Sequence, residues 1–254
     1  MICMLRKVKF ITTNRGAMLL KGYSGCKVEL LDGIVRKTSK SIPYNERLLK
    51  QIKKQQSFSH PKIKTPEVLD IGFKDKLLYF DMEYIRGESF TDYCSYSKFS
   101  SIKNIFSELL SKGAKSSSCI KSKIIEKCST LQDFPMEILD SVSWEVPDGF
   151  CHGDLTFENI IIKDEQIYLI DFLDSFAEAP LIDEGKLMQD TFSAWSYRNK
   201  SYVPWHNLRL LHELLENKRS YITLLIHLYR ILPYASAKDS EYISCKIQRV
   251  IEKL

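Results

Sequence analysis

The sequence predicts an α+β chain in two lobes: a small antiparallel β-sheet lobe with one helix over residues 1–85, and a larger, mainly helical lobe over residues 86–254. Strand-like runs separated by tight-turn dipeptides crowd the first third. Beyond it, apolar residues recur at helical spacing, and one polar-tipped pair of β-branched runs, beginning after Asn159, interrupts that pattern. A length of 254 residues is large for a single core and ordinary for two lobes around a cleft.

Met18-Leu19-Leu20-Lys21 reads as a strand, Gly22-Tyr23-Ser24-Gly25 as a tight turn and Cys26 to Leu31 as a second strand. Asp32-Gly33 is a strong two-residue hairpin signal, so Ile34 to Thr38 forms the third strand. Side chains alternate along a strand, which puts Val35 and Lys37 on one face and Ile34 and Arg36 on the other. Ser41 to Gln56 reads as a helix, with Ser41 as its cap, Pro43 near the first turn and Leu48, Leu49 and Ile52 as its apolar stripe. Leu77 to Ile85 is a strand rich in aromatic and aliphatic residues, by itself an ordinary core strand. In the larger lobe, Ile102–Leu110, Ile120–Leu131, Asp183–Trp195 and Leu208–Leu232 read as helices, and the Ser/Lys-rich Ser111–Lys127 as a loop running into an exposed helix.

The chemistry concentrates between Cys151 and Ser175, CHGDLTFENIIIKDEQIYLIDFLDS. Ile160-Ile161-Ile162 and Ile167-Tyr168-Leu169-Ile170 flank the polar turn Lys163-Asp164-Glu165-Gln166, which is a β-hairpin pattern. Such a hairpin returns Asp171 to the side of Asn159, where a carboxylate and an amide can share a hard cation. Asp154, five positions before Asn159, stays apart from that pair. Phosphoryl transfer needs these groups: a carboxylate to orient the attacking hydroxyl, and oxygen ligands to hold Mg²⁺ against phosphates. A lone H-x-D could be accidental, but His152-Gly153-Asp154, Asn159 and Asp171-Phe172 together follow the order and spacing of a kinase catalytic loop and its metal strand.

This segment resembles the aminoglycoside-phosphotransferase and choline-kinase branch of the protein-kinase-like superfamily, closest to bacterial phosphotransferases of surface-sugar gene clusters. The resemblance covers most of the chain but is specific at four places: the catalytic hairpin, the Lys37 strand, the helix after it and the strand ending at Ile85. It implies a two-lobed, ATP- and Mg²⁺-dependent kinase acting on a small hydroxylated molecule, a sugar or an amino alcohol. It implies Asp154 as the catalytic base and Asn159 and Asp171 as metal ligands. Lys37 would meet the nucleotide phosphates, with Val35 against the adenine and Glu46 fixing the lysine. Arg36 is then a solvated neighbour, and the bland account of Glu46 is an acidic residue favoured at a helix N-terminus. Met82 would back the adenine pocket, with Glu83 and Ile85 offering main-chain contacts. Gly22 and Gly25 lack the full G-x-G-x-x-G spacing, yet their backbone amides could cradle phosphate oxygens. Asp174, Asp190 and Trp195 follow the metal strand closely enough to line the acceptor side.

Two departures separate the chain from protein kinases. Gly153 stands where an arginine would dock an activation-loop phosphate, and Leu173 stands in place of the glycine of D-F-G. Only about ten residues follow Asp171 before the next helix, too few for a peptide platform. An atypical protein kinase and a catalytically silent nucleotide-binding scaffold are the competing classes, and the intact Asp154, Asn159 and Asp171 set argues against the second.

Composition narrows the remaining classes. The net charge of +5 suits a site for nucleotide phosphates. Its basic residues are dispersed, with no zinc-finger or RNP-like pattern, so no nucleic-acid partner is expected. Seven cysteines without C-x-x-C spacing indicate reduced thiols and a cytoplasmic setting. No apolar run reaches the ~18–20 residues of a membrane span, and Lys and Arg interrupt the N-terminal apolar runs, so no signal peptide is expected. The isolated histidines His206, His212 and His227 are expected to be structural.

Overall fold

A computed structural model describes residues 18–21, 26–110, 117–147 and 149–254. They group into two compact units, one running to Phe90 and taking in Asn159–Asp174, the other made of Thr91–Glu158 and Ser175–Leu254.

The first unit holds a five-stranded antiparallel sheet of β1 (Met18–Lys21), β2 (Lys27–Leu31), β3 (Ile34–Thr38), β5 (Val68–Lys74) and β6 (Leu77–Glu83), in the order β1-β2-β3-β6-β5. Both of its described two-residue turns use positive φ: Asp32 and Gly33 between β2 and β3, Asp75 and Lys76 between β5 and β6. Left-handed turns match the strand twist, so Asp-Gly specifies the first hairpin, whereas Asp-Lys concealed the second. Helix α1 (Asn45–Ser57) covers the sheet with Leu48 and Ile52, both fully buried against Leu78, Phe80 and Met82. Such burial stabilises by about 1.5–3 kcal/mol per side chain. Ser41 does not cap this helix through its side chain; a short 3₁₀ turn, Ile42–Tyr44, precedes it and takes up Pro43.

The expected boundary at residue 85 is corrected by strand pairing. A second sheet runs β4-β11-β10-β7, from β4 (Ile63–Lys64), β7 (Glu88–Ser89), β10 (Ile160–Lys163) and β11 (Gln166–Leu169). Because β10 pairs with β7 and β11 pairs in parallel with β4, the hairpin and residues up to Phe90 group with the first unit.

The second unit is mainly helical: α2 (Phe90–Tyr96), α3 (Phe99–Leu110), α4 (Lys121–Cys128), α5 (Pro180–Thr191), α6 (Trp205–His212), α7 (Lys218–Ile231) and α8 (Ala237–Ile251), with the ribbon β8 (Ser117–Cys119) and β9 (Glu145–Pro147). The single helix expected over Leu208–Leu232 is two, because Asn217 caps α7, its Oδ1 accepting from Ser220 N at 2.9 Å. Helix α5 is buried along nearly its whole length. A Cβ on Gly185 would sit 2.6 Å from Thr223 Cγ2 and 2.9 Å from His227 Cδ2, so the glycine sets how closely α7 packs on α5. Among the described residues no helix is long and apolar enough to cross a membrane.

Candidate active site

In the first unit, the register Ile160↔Leu169 and the bond from Ile170 N to Asn159 O at 3.0 Å set Asn159 and Asp171 at the same end of the β10–β11 hairpin. Asp171 has φ +62°, a left-handed conformation uncommon outside glycine and tolerated best by Asn and Asp. Backbone strain of this kind persists only where its surroundings fix it. Phe172 supplies part of that fixing: it is buried, its ring 5.6 Å from that of Phe58. Lys54 supplies another part, donating from α1 to Leu173 O at 3.0 Å.

Asp171 Oδ1 lies 2.5 Å from Lys37 Nζ. Lys37 is 4% exposed and shares the inner face of β3 with Val35, as strand parity requires. Burial opposes its charged form, but the charge and hydrogen bond of Asp171 outweigh that and leave the ammonium pKa raised. Arg36, on the other face, is paired through two nitrogens with Asp81, each at 2.7 Å.

The second partner of Lys37 is not Glu46. Nζ donates to Gln51 Oε1 at 3.1 Å, and Gln51 Nε2 donates to Tyr44 OH at 3.3 Å. Glu46 is 79% exposed and meets only Lys50, at 3.3 Å, among its described ion pairs. Helical periodicity explains the difference. Leu48, Gln51, Ile52 and Gln55 share the buried face of α1, and Glu46 falls nearly opposite it. Where Lys37 meets nucleotide phosphates, as the resemblance implies, Gln51→Leu should weaken nucleotide binding by about tenfold or more, since a hydrogen bond to a charged group is worth roughly 1.5–3 kcal/mol. Glu46→Ala should change it by less than about twofold, as exposed pairs contribute little. Titration with a non-hydrolysable ATP analogue separates them; a larger loss for Glu46→Ala would restore its expected role.

At the end of β6, Met82 faces Val35 across the sheet and packs on the α1 core. Glu83 N donates to Glu67 O at 2.9 Å, and Ile85 O accepts from Gly87 N at 3.0 Å. Gly22 and Gly25 lie outside the described residues.

In the second unit, α5 grips the loop 151–157 at three points. Asp183 accepts from His152 N at 2.7 Å and Gly153 N at 2.9 Å, and Asp190 accepts from Phe157 N at 2.6 Å. Between them Lys186 Nζ lies 3.0 Å from Asp154 Oδ1. Gly153 has φ +88°, which a side chain such as arginine would adopt only under strain. Asp154 N donates to His152 Nδ1 at 3.3 Å, so this nitrogen of the His-Gly-Asp histidine acts as an acceptor within its own loop. The Asp154 carboxylate itself is 25% exposed.

Asp190 is corrected from an acceptor-lining residue to a clamp. It is 0% exposed and holds Ser196 N at 2.7 Å as well as Phe157 N. Trp195, in the turn Trp195–Tyr197, carries the Arg198 guanidinium 3.8 Å from its ring centre. Asp174 is exposed and belongs to the first unit. Burial pushes the Asp190 carboxyl up to about 6 from its ordinary 3.8, against the lowering effect of its N–H donors. The folded chain thus holds this proton more tightly than the unfolded chain. Its favourable contribution is complete below about pH 4 and lost as pH rises through about 6. The stability of wild type relative to Asp190→Asn should fall by roughly 3 kcal/mol between those limits. Urea unfolding of both proteins across that range checks it, and a difference independent of pH would contradict it.

Gln51, Lys54, Asp183 and Lys186 were not among the site residues expected from the sequence. Charges at Asp183, Lys186 and Asp190, spaced i, i+3 and i+7 along an apolar helix, were the available signal. Asn159 and Asp171 offer an amide and a carboxylate oxygen, the hard donors Mg²⁺ takes. Mg²⁺ commonly binds one or two such side chains and completes its shell with water and phosphate. No cluster of three His, Cys, Asp or Glu side chains suited to a metal occurs among the described residues.

No protein-family model matches the chain, and no curated protein matches its sequence. Solved structures do. A thermostable mutant of aminoglycoside phosphotransferase APH(4)-Ia, in ternary complex with ADP and hygromycin B, aligns with TM-score 0.60 at 15% identity, over 94% of this chain and 94% of that one. The streptomycin–ATP complex of APH(2'')-IIa aligns with TM-score 0.52 at 14% identity, over 96% and 93%. A protein from Haemophilus somnus 129PT, provisionally named a fructosamine-3-kinase, aligns with TM-score 0.51 at 12% identity, over 96% and 90%. The chain therefore has the fold seen in these aminoglycoside phosphotransferase structures.

Proposed function

We propose that the protein is an ATP- and Mg²⁺-dependent phosphotransferase. It moves the γ-phosphoryl group to a hydroxyl of a small metabolite, a sugar or amino alcohol of surface-polysaccharide metabolism. The observation that carries this reading is the hairpin end that sets Asn159 beside the Asp171 segment, with Asp171 already joined to the buried Lys37. A buried ammonium, an exposed-edge carboxylate and an amide form a receptor for phosphate and a hard cation.

In this reading Lys37 meets the nucleotide phosphates and Gln51 holds the lysine in place. Val35 and Met82 pack on the base. With Glu83 N engaged by Glu67, the Glu83 carbonyl and the Ile85 N–H are the main-chain groups offered to the adenine edge. Mg²⁺, held by Asn159 and Asp171, would neutralise charge on the phosphates. Asp154 orients the acceptor hydroxyl and takes its proton as the oxygen bonds to the γ-phosphorus and the bond to ADP breaks. Asp183 and Asp190 keep the loop carrying Asp154 in shape.

A small acceptor is favoured over a protein because only residues 172–179 lie between Asp171 and α5, and because Gly153 is a conformational glycine, not a docking arginine. Six described cysteines, none in a disulfide, accord with a cytoplasmic setting. A screen of ATP consumption with Mg²⁺ against sugars and amino alcohols tests the acceptor class. ADP release should depend on one of these classes; release independent of every hydroxyl compound supplied would count against it.

A further inference from the structure

We infer that Lys186 is a positioning residue for phosphoryl transfer, acting through the Asp154 carboxylate; this rests on the phosphotransferase reading above. Lys186 is 7% exposed and lies in α5, a helix buried along nearly its whole length. An ammonium in such a place is costly unless paired. Its partners are Asp154 Oδ1 at 3.0 Å and Gln189 Oε1 at 3.2 Å, the glutamine itself 1% exposed. Apolar side chains at both positions would serve packing as well, because replacing a whole buried ion pair by them is often neutral for stability. The charge therefore has a use that packing does not explain.

Geometry indicates the use. Asp183 and Asp190, on the same face of α5, hold backbone N–H groups of the loop, and Asp183 also accepts from the Cys151 thiol at 3.5 Å. Lys186, between them, reaches the reactive side chain itself. The Lys186 ammonium places a cation from α5 at 3.0 Å from the Asp154 carboxylate. By holding Oδ1, the ammonium fixes the carboxylate rotamer and so orients it to receive the acceptor proton. The ammonium also has a third N–H donor beyond those directed at Asp154 and Gln189.

The test measures transfer of labelled γ-phosphoryl from Mg·ATP into the low-mass fraction of a cell metabolite extract, in the backgrounds of wild type and Asp154→Asn. Lys186→Met should lower turnover by about 10–100-fold, leave the ATP KM within about twofold, and be partly rescued in Lys186→Arg, because an effect confined to the transition state appears in kcat and not in ground-state binding. In the Asp154→Asn background the same change should cost less than about threefold, as residues acting as one unit are non-additive. If Lys186→Met fails to fold, Lys186→Gln replaces it in both backgrounds with the same expectation. Near wild-type turnover, or an equal loss in both backgrounds, would overturn the inference. Absence of transfer by the wild-type protein would instead overturn the phosphotransferase reading.

Discussion

Asp171→Ala is expected to abolish Mg²⁺-dependent nucleotide binding. The carboxylate is the charged member of the proposed ligand pair, whereas Asn159 contributes an uncharged amide, so Asn159→Ala should be milder. The substitution also leaves Lys37, 4% exposed, without the carboxylate that outweighs its burial. Breaking a buried pair from one side costs about 3–5 kcal/mol, but the Asp171 carboxylate is 35% exposed, so a loss below that range is expected. Asp171→Asn keeps the shape and tolerates the positive φ, and separates loss of charge from loss of fold. Calorimetric titration with ATP analogue, with and without Mg²⁺, reads the binding. A larger loss for Asn159→Ala than for Asp171→Ala would reverse the assignment of the two ligands.

Asp154→Asn should lower turnover by about 10²–10⁴-fold, the usual range for general-base catalysis. Nucleotide binding should survive, because Asp154 is assigned to the acceptor hydroxyl and the groups assigned to the nucleotide all lie in the first unit. Turnover near wild type on the true acceptor would remove Asp154 from its role. Loss of nucleotide binding in the same variant would show that it acts on the donor side.

The hairpin of Asn159 to Asp171 was legible because local rules alone fix it: two β-branched runs and a polar turn determine register, and register determines which residues share an end. Lys37 was legible for the same reason, since strand parity leaves one of two adjacent cations on the inner face. Glu46 misled because its acidity was weighed more than its phase on the helix, where Gln51 and not Glu46 follows Leu48 and Ile52. Asp190 misled because a carboxylate close in sequence to a metal strand resembles a ligand until its burial and its backbone donors are seen. The contributions of Asp183 and Lys186 depend on how α5 packs against the loop 151–157, a tertiary relation with no local sequence pattern. The grouping of the hairpin with the N-terminal unit likewise depends on β7 and β4, strands of two residues too short to carry a period.

The most direct measurement supplies γ-labelled ATP, Mg²⁺ and a cell metabolite extract to the purified wild-type protein and follows the label. Label in a low-mass product, lost with Asp154→Asn, is the expected result. Label confined to protein bands, with none in the small-molecule fraction, would contradict a small hydroxylated acceptor.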